Sequence, residues 1–281
     1  MNLPAFGICT SLLCTAASVA PGQPASPAVG DLEPYTLQAF QRYAAATEAR
    51  IRRQVQREGS FLYLDYLPQR NRNRELANLR RGELYMERLK TRDAAGREIP
   101  IKDGLVHHWL GAVYIPGVGL EETLEIIQDY DRHSEIYSPD VEAAHVISRD
   151  GGDFEVFMRF RKHKVITVIM DTVHDVQYIT PAEGRTYSIS RTTSVREVKD
   201  AGTAEERALP DGEGSGFLWR INSYWRFLER DGGTYIESES ISLTRTIPFM
   251  VRWLVTPFVS DMPREQLTVL LQTTRQALTH D

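Results

Sequence analysis

Two strand-like stretches hold the residues whose types and spacing could do chemistry. In "TYSISRTTSVREV", Thr186 to Val198, Arg191 falls on the same side of an extended chain as Tyr187, Ile189 and Val195. In "TYIESESISLTR", Thr234 to Arg245, Glu237 and Glu239 share a side with Tyr235, Ile241 and Leu243. An arginine and a carboxylate turned into one apolar interior need each other, because an unpaired buried charge is very costly. The alternation therefore predicts an Arg191–Glu239 or Arg191–Glu237 pair inside a cavity, with two solvated faces as the alternative. Arg191, Tyr187, Tyr224 and Glu239 would also be the candidates for general acid–base work on a bound carbonyl. Nothing in their spacing singles them out for it.

Other chemistries lack their parts. His107 and His108 are neighbours in an extended segment, point to opposite faces and cannot chelate together. His163 and His174 lie far apart, without carboxylates at ligand spacing. The chain has no HExxH or CxxC pattern and no Gly-x-Ser-x-Gly elbow. "GEGSG", Gly212 to Gly216, has no lysine and no phosphate-binding helix after it, so it reads as a flexible loop. Neither a metal nor a cofactor is expected. A net charge of −5 and a pI near 5.9 argue against a nucleic-acid partner. The one basic run, "QRNRNRELANLRR" from Gln69 to Arg81, has five arginines and reads as a solvated face.

The elements that must position these residues follow from period and punctuation. Leu37, Phe40, Ala44, Ile51 and Val55 recur at helical spacing between Pro34 and Gly59, which predicts an amphipathic helix over 34–58 that must dock somewhere. "FLYLDYL", Phe61 to Leu67, is too apolar for a free linker, and "GELYMERLKT", Gly82 to Thr91, could be strand or helical turn. "GLVHHWLGAVYIP", Gly104 to Pro116, is strand-like. "GLEETLEIIQDY", Gly119 to Tyr130, puts Leu120, Leu124 and Ile127 on one helical face, with acids at its start where the macrodipole favours them. A second short helix follows, closed by Ser138-Pro139. Six strand-like runs come next, with "DGGD" and "DGG" as hairpin signals. Helical period returns after Pro248. No helix separates the strands, so a parallel sheet is excluded and one strongly curved antiparallel sheet around the last helix is the simplest solution.

Residues 1–30 have no charged side chain and turn rich in Ala, Ser and Pro. They resemble a secretory signal peptide and linker, which predicts a secreted or periplasmic protein, with a cytoplasmic leader as the alternative. Both cysteines, Cys9 and Cys14, fall there, so a processed chain has no thiol. No later run approaches ~20 apolar residues.

"DYDRHSEIYSPDV", Asp129 to Val141, and "SLTRTIPFMVRWLVTPFVSDMPREQLTVLLQTTRQAL", Ser242 to Leu278, carry a family resemblance. With the element order they resemble the START-like (SRPBCC) superfamily, which includes polyketide cyclase-type proteins. The resemblance covers about residues 104–281 and leaves 31–103 as an N-terminal extension. It implies an α+β helix-grip fold: a curved antiparallel seven-stranded sheet around a long C-terminal helix, with two short helices after the first strand. Tyr130, Ile136, Tyr137 and Pro139 would plug one end of the sheet, with Asp129, Asp131, Arg132, Glu135 and His133 facing water. The space under the helix would hold a hydrophobic small molecule or lipid, with transient membrane-surface contact during loading.

Strand alternation supplies the lining that this implies. Phe217, Trp219, Ile221, Trp225 and Phe227 share one face, opposite Arg220, Asn222, Tyr224 and Arg226. Met158 and Phe160 share a face with Val156, and Tyr137 closes the plugged end. Tyr187, Arg191, Glu237 and Glu239 would be the polar members. Phe249, Met250, Trp253 and Leu254 would form the mouth. Two other readings stay open: a cyclase or aromatase-type enzyme using the same cavity, and an interaction module with a filled core.

Overall fold

The computed structural model describes residues 31–163, 167–246 and 252–279, with side chains of the last helix described from Met262 onward. Helix α1 (Pro34–Val55) starts on a proline and buries Phe40, Tyr43, Ala44, Thr47, Ile51 and Val55, a stripe at helical spacing. A 3-10 turn (Tyr63–Tyr66) and α2 (Gln69–Arg80) follow. Next come β1 (Tyr85–Arg88), β2 (Gly104–Pro116), α3 (Leu120–Gln128), a 3-10 turn (Tyr130–Arg132) and α4 (His133–Ile136). The rest of the sheet is β3 (Val141–Asp150), β4 (Asp153–His163), β5 (Thr167–Ala182), β6 (Arg185–Lys199), β7 (Arg207–Ala208), β8 (Arg220–Arg230) and β9 (Gly233–Arg245). Helix α5 (Arg252–Thr279) closes the described chain. None of the described helices is long and apolar enough to cross a membrane.

The strands form one antiparallel sheet in the order β1-β2-β9-β8-β6-β5-β4-β3, with β7 pairing on β6. It has nine strands, where seven were expected. The two extra are β1, four residues from the ambiguous Gly82–Thr91 stretch, and the two-residue β7 in the polar loop. Neither is long enough to show an alternating pattern. Asp231 and Gly232 both take positive φ, +61° and +77°, the geometry a tight turn needs between β8 and β9.

The sheet has two covered faces. On one, Leu267, Leu271 and Leu278 of α5 pack on Val113, Ile115, Phe227 and Ile236. The approach is close at Gly111, where a Cβ would sit 2.5 Å from Leu271 Cδ1. On the other, Phe40, Tyr43, Ile51 and Val55 of α1, with Phe61, Leu62, Leu64 and Leu79, pack on Tyr114, Tyr187, Ile189, Tyr224, Leu228, Tyr235, Ile241 and Leu243.

The corner from Asp129 to Val141 plugs one end through Tyr130 and Tyr137, as expected, but with His133 in place of Ile136 and Pro139. Tyr130 and Tyr137 are buried, with Tyr130 Oη 2.8 Å from Tyr178 Oη and Tyr137 Oη 3.1 Å from Thr274 Oγ1 of α5. His133 is buried too, not at the surface: its Nε2 lies 3.2 Å from the Ile127 carbonyl and its ring stands between Tyr130 and Tyr137. Pro139 is exposed and Ile136 half-buried. The helical turn that begins at His133 turns the imidazole inward, with its acidic sequence neighbours left toward water.

Burial lowers three histidines, His107, His133 and His174, each to about 4 from an ordinary 6.5. The unfolded chain therefore binds protons between pH 6.5 and 4 that the folded chain refuses. The stability these groups contribute is complete above pH 6.5 and is lost as pH falls through about 4. Glu237 acts oppositely, because burial raises it to about 7 against the pull of Arg226: it favours the folded state below pH 4.5 and loses that contribution as pH rises through about 7. The sum predicts roughly 3 kcal/mol less stability at pH 5 than at pH 7.5. Urea midpoints at the two values check it, and an unchanged or higher midpoint at pH 5 contradicts it.

Candidate functional site

The face of the sheet turned toward α5 is an incompletely filled groove. On β8 the residues facing away from α5, namely Asn222, Tyr224, Arg226 and Leu228, are all buried, whereas Ile221, Ser223 and Trp225 on the α5 side are only half-buried. Met158, Phe160, Trp109, Ser190 and Ser240 on neighbouring strands are likewise half-buried. The Trp225 ring lies parallel to that of Phe227 with centroids 5.9 Å apart, so the indole has a fixed shelf beneath it. Small side chains leave space at Ser190, Ser223 and Ser240, which are half-buried where branched aliphatic groups would fill it, while Ser188, Ser238 and Ser242 on the same face are buried. At the α3 end the face opens into a hollow of about 440 Å³ bordered by Leu120, Leu124, Thr180, Thr186 and Glu229.

Of the predicted lining, Met158, Phe160, Ile221 and Trp225 lie on this face, and Tyr137 closes its end by its contact with Thr274. Phe249, Met250, Leu254 and Trp253 fall outside the described residues or side chains. Trp219 is buried in the cluster beneath α1, because β8 begins only at Arg220 and the alternation does not extend back to it.

The polar members are on the far face. Tyr187 packs beneath α1. Arg191 pairs with neither expected glutamate: its Nε and an Nη bind both oxygens of Glu48 on α1, at 2.7 and 2.6 Å. Glu237 accepts the backbone N–H groups of Tyr63 and Leu64 at 2.6 and 3.0 Å and lies 3.5 Å from Arg226. Glu239 meets His108 Nε2 at 2.7 Å, Arg50, and Arg226 at 3.9 Å. Burial pushes Glu239 up, but the His108 hydrogen bond and the arginine charges hold it down at about 2. His108 Nδ1 in turn lies 2.9 Å from Tyr43 Oη, which accepts the Thr91 N–H at 2.8 Å. Tyr224 Oη reaches Glu48 at 3.3 Å. The acid–base candidates thus tie the extension to the sheet, and none of them borders the groove. The parity was right and the direction wrong: glutamates and tyrosines do share a side, but it is the side that α1 covers.

Reasoning from sequence missed the serines. Their signal is the same "ESESIS" run, in which every second residue is a small hydroxyl on the face opposite the glutamates.

No family model matches the chain, and no curated protein matches its sequence. Solved structures similar to it include a STAR-related lipid transfer protein fragment from Xanthomonas axonopodis, at 16% identity and TM-score 0.41, covering 68% of this chain and 98% of that one. The Zhui aromatase/cyclase from Streptomyces sp. R1128 matches at 11% identity and TM-score 0.41, covering 62% and 94%. The lipid transfer and protein localization domain of human StarD13 matches at 8% identity and TM-score 0.41, covering 76% and 98%. The strand order, the two short helices after β2 and the seating of α5 on β2 and β9 decide the architecture. The fold is a helix grip. To it the chain adds a layer, α1 to α2, on the face of the sheet opposite the gripped helix.

Proposed function

We propose that the chain binds a hydrophobic small molecule in the groove between the sheet and α5, and carries it without transforming it. One observation carries the reading: the burial of β8 is inverted over Ile221–Trp225. In a filled helix-grip core the α5 side of a central strand would be its most buried side; here Phe227 is buried on that side, but Ile221, Ser223 and Trp225 are only half-buried while Asn222 and Tyr224 behind them are buried. A concave surface that sets apolar side chains beside neutral polar groups is how small-molecule sites are built. Burying about 300 Å² of apolar ligand there supplies roughly 7 kcal/mol before the cost of association, enough for micromolar capture. Loading by transient contact with a membrane surface belongs to the same proposal. The cyclase-type alternative loses its candidate acids and bases to the opposite face.

Trp225→Ala tests the reading. Ligand capture should fall about tenfold or more, while the unfolding free energy falls by less than the roughly 3–5 kcal/mol of a fully buried Trp→Ala change, since the indole is only partly buried. Native mass spectrometry of the purified chain measures the capture. Equal loss of binding and stability would make the indole plain core, and a protein that carries nothing and takes up nothing would favour the interaction module.

A further inference from the structure

The floor of the groove is laid in rows that cross the strands in register. Ser190, Ser223, Ser240 and Trp109 form the first row, and Ser188, Trp225, Ser238 and Gly111 the second. Ile221, Ser242 and His107 form a third. Directly paired residues of antiparallel strands point to one side, so these eleven positions make one surface, and six of them are serine.

The surface is polar without being charged. His107 Nε2 lies 3.1 Å from Thr244 Oγ1, and His174, beside the first row, lies 3.4 Å from Ser190 Oγ through Nδ1 and 2.9 Å from Thr172 Oγ1 through Nε2. Burial keeps both rings neutral near pH 7. Charged residues on this face stand at its margins, where Arg88 of β1 pairs in register with Trp109 and lies exposed beyond the first row. Lys162 Nζ is 2.6 Å from Asp140 at one end, and Glu229 accepts the Leu120 N–H at 2.8 Å at the other. Within the floor, Ser238 Oγ is buried and has no hydrogen-bond partner. A buried hydroxyl left so is unfavourable unless something else reaches it.

Alkyl chains gain less from such a surface than a ligand with matching oxygens does, since each hydroxyl they cover loses its water without compensation. We infer that the groove selects a rigid molecule bearing several hydroxyl or carbonyl oxygens over a simple acyl or alkyl chain, with Ser190, Ser223 and Ser240 of the first row reading those oxygens and Trp109 and Trp225 covering its apolar faces. Neighbouring strands lie about 4.8 Å apart. The first row therefore offers hydroxyls roughly 5 and 10 Å apart, a spacing a rigid skeleton can match and a flexible chain cannot hold without loss of entropy. The inference rests on the groove being the binding site, and adds the class of its ligand.

The test titrates the full chain with estriol, a rigid neutral triol, and with 1-dodecanol, following tryptophan fluorescence. Estriol should bind at least tenfold more tightly. Ser223→Ala with Ser240→Ala should remove most of that preference by weakening estriol binding about tenfold and leaving 1-dodecanol unchanged or tighter. Ser223→Val with Ser240→Val, if it folds, should do the same more strongly. Equal binding of both probes to the unaltered chain, or no response of estriol to the alanine pair, overturns the ligand class and leaves the groove standing. Binding of neither probe overturns both, and binding of both that Trp225→Ala does not weaken places the site elsewhere and removes the inference with it.

Discussion

A chain that begins at residue 104 is expected to be insoluble, or to bind hydrophobic dyes as a loosely packed species, although it would keep every strand from β2 to β9 and the gripped helix. The reason is the face that α1 and α2 cover. Without them Tyr114, Tyr187, Ile189, Tyr224, Leu228, Tyr235, Ile241 and Leu243 would meet water. The deleted segment also contributes Phe40, Ile51, Val55, Phe61, Leu62, Leu64 and Leu79, whose burial is worth on the order of 10 kcal/mol. That is comparable to the whole stability of an ordinary domain. Expression of residues 104–281 with circular dichroism and dye binding decides it; a soluble, cooperatively unfolding product would show the layer to be dispensable.

The second large effect is at Arg226, which is buried between Glu237 and Glu239. Arg226→Met keeps the aliphatic bulk and removes the only cation that touches both carboxylates among the described residues. Glu237 would keep its two backbone donors from Tyr63 and Leu64, and Glu239 would keep His108 and Arg50. Breaking a buried pair from one side typically costs 3–5 kcal/mol, so about 3 kcal/mol is expected in urea unfolding at pH 7. The loss should shrink at pH 5, where Glu237, already raised to about 7, takes up a proton and needs no cation. A substitution that costs under about 1 kcal/mol at pH 7 would sink this account. Because the network sits on the face away from the groove, ligand capture by the surviving folded protein should be nearly normal.

These two sites show where the sequence could be read and where it could not. Element order was legible because β2 to β6, β8 and β9 carry period two, the β3–β4 and β8–β9 hairpins carry Asp-Gly, and α1, α3 and α5 carry period three to four. The placement of Met158, Phe160, Ile221 and Trp225 on one face of the sheet was legible for the same reason. The direction of β9 was not. In "ESESIS" both alternating sets are polar, and the glutamates look like the inward set because Tyr235, Ile241 and Leu243 accompany them. What settles the matter is α1 and the turn at Tyr63, which supply Arg50 and two backbone donors from more than 170 residues away in the chain. The apolar stripe of α1 says that the helix must dock, and says nothing about which face receives it. His133 fails on a smaller scale. Its sequence neighbours are acidic, but the turn at Tyr130–Arg132 sets its ring between two tyrosines.

The sheet does not close on itself, and that leaves β3 at a free margin with Ile147 exposed. An edge strand of ten residues, paired on one side only, invites a second molecule to zip onto it. Two slips in its pairing with β4, between Val141 and Ala143 and between Val146 and Ser148, break its regular ladder into short pieces. Glu142, Arg149 and Asp150 add charge along it. Straightening those slips by deletion would turn a guarded border into an adhesive one, and single molecules would become prone to building fibrils.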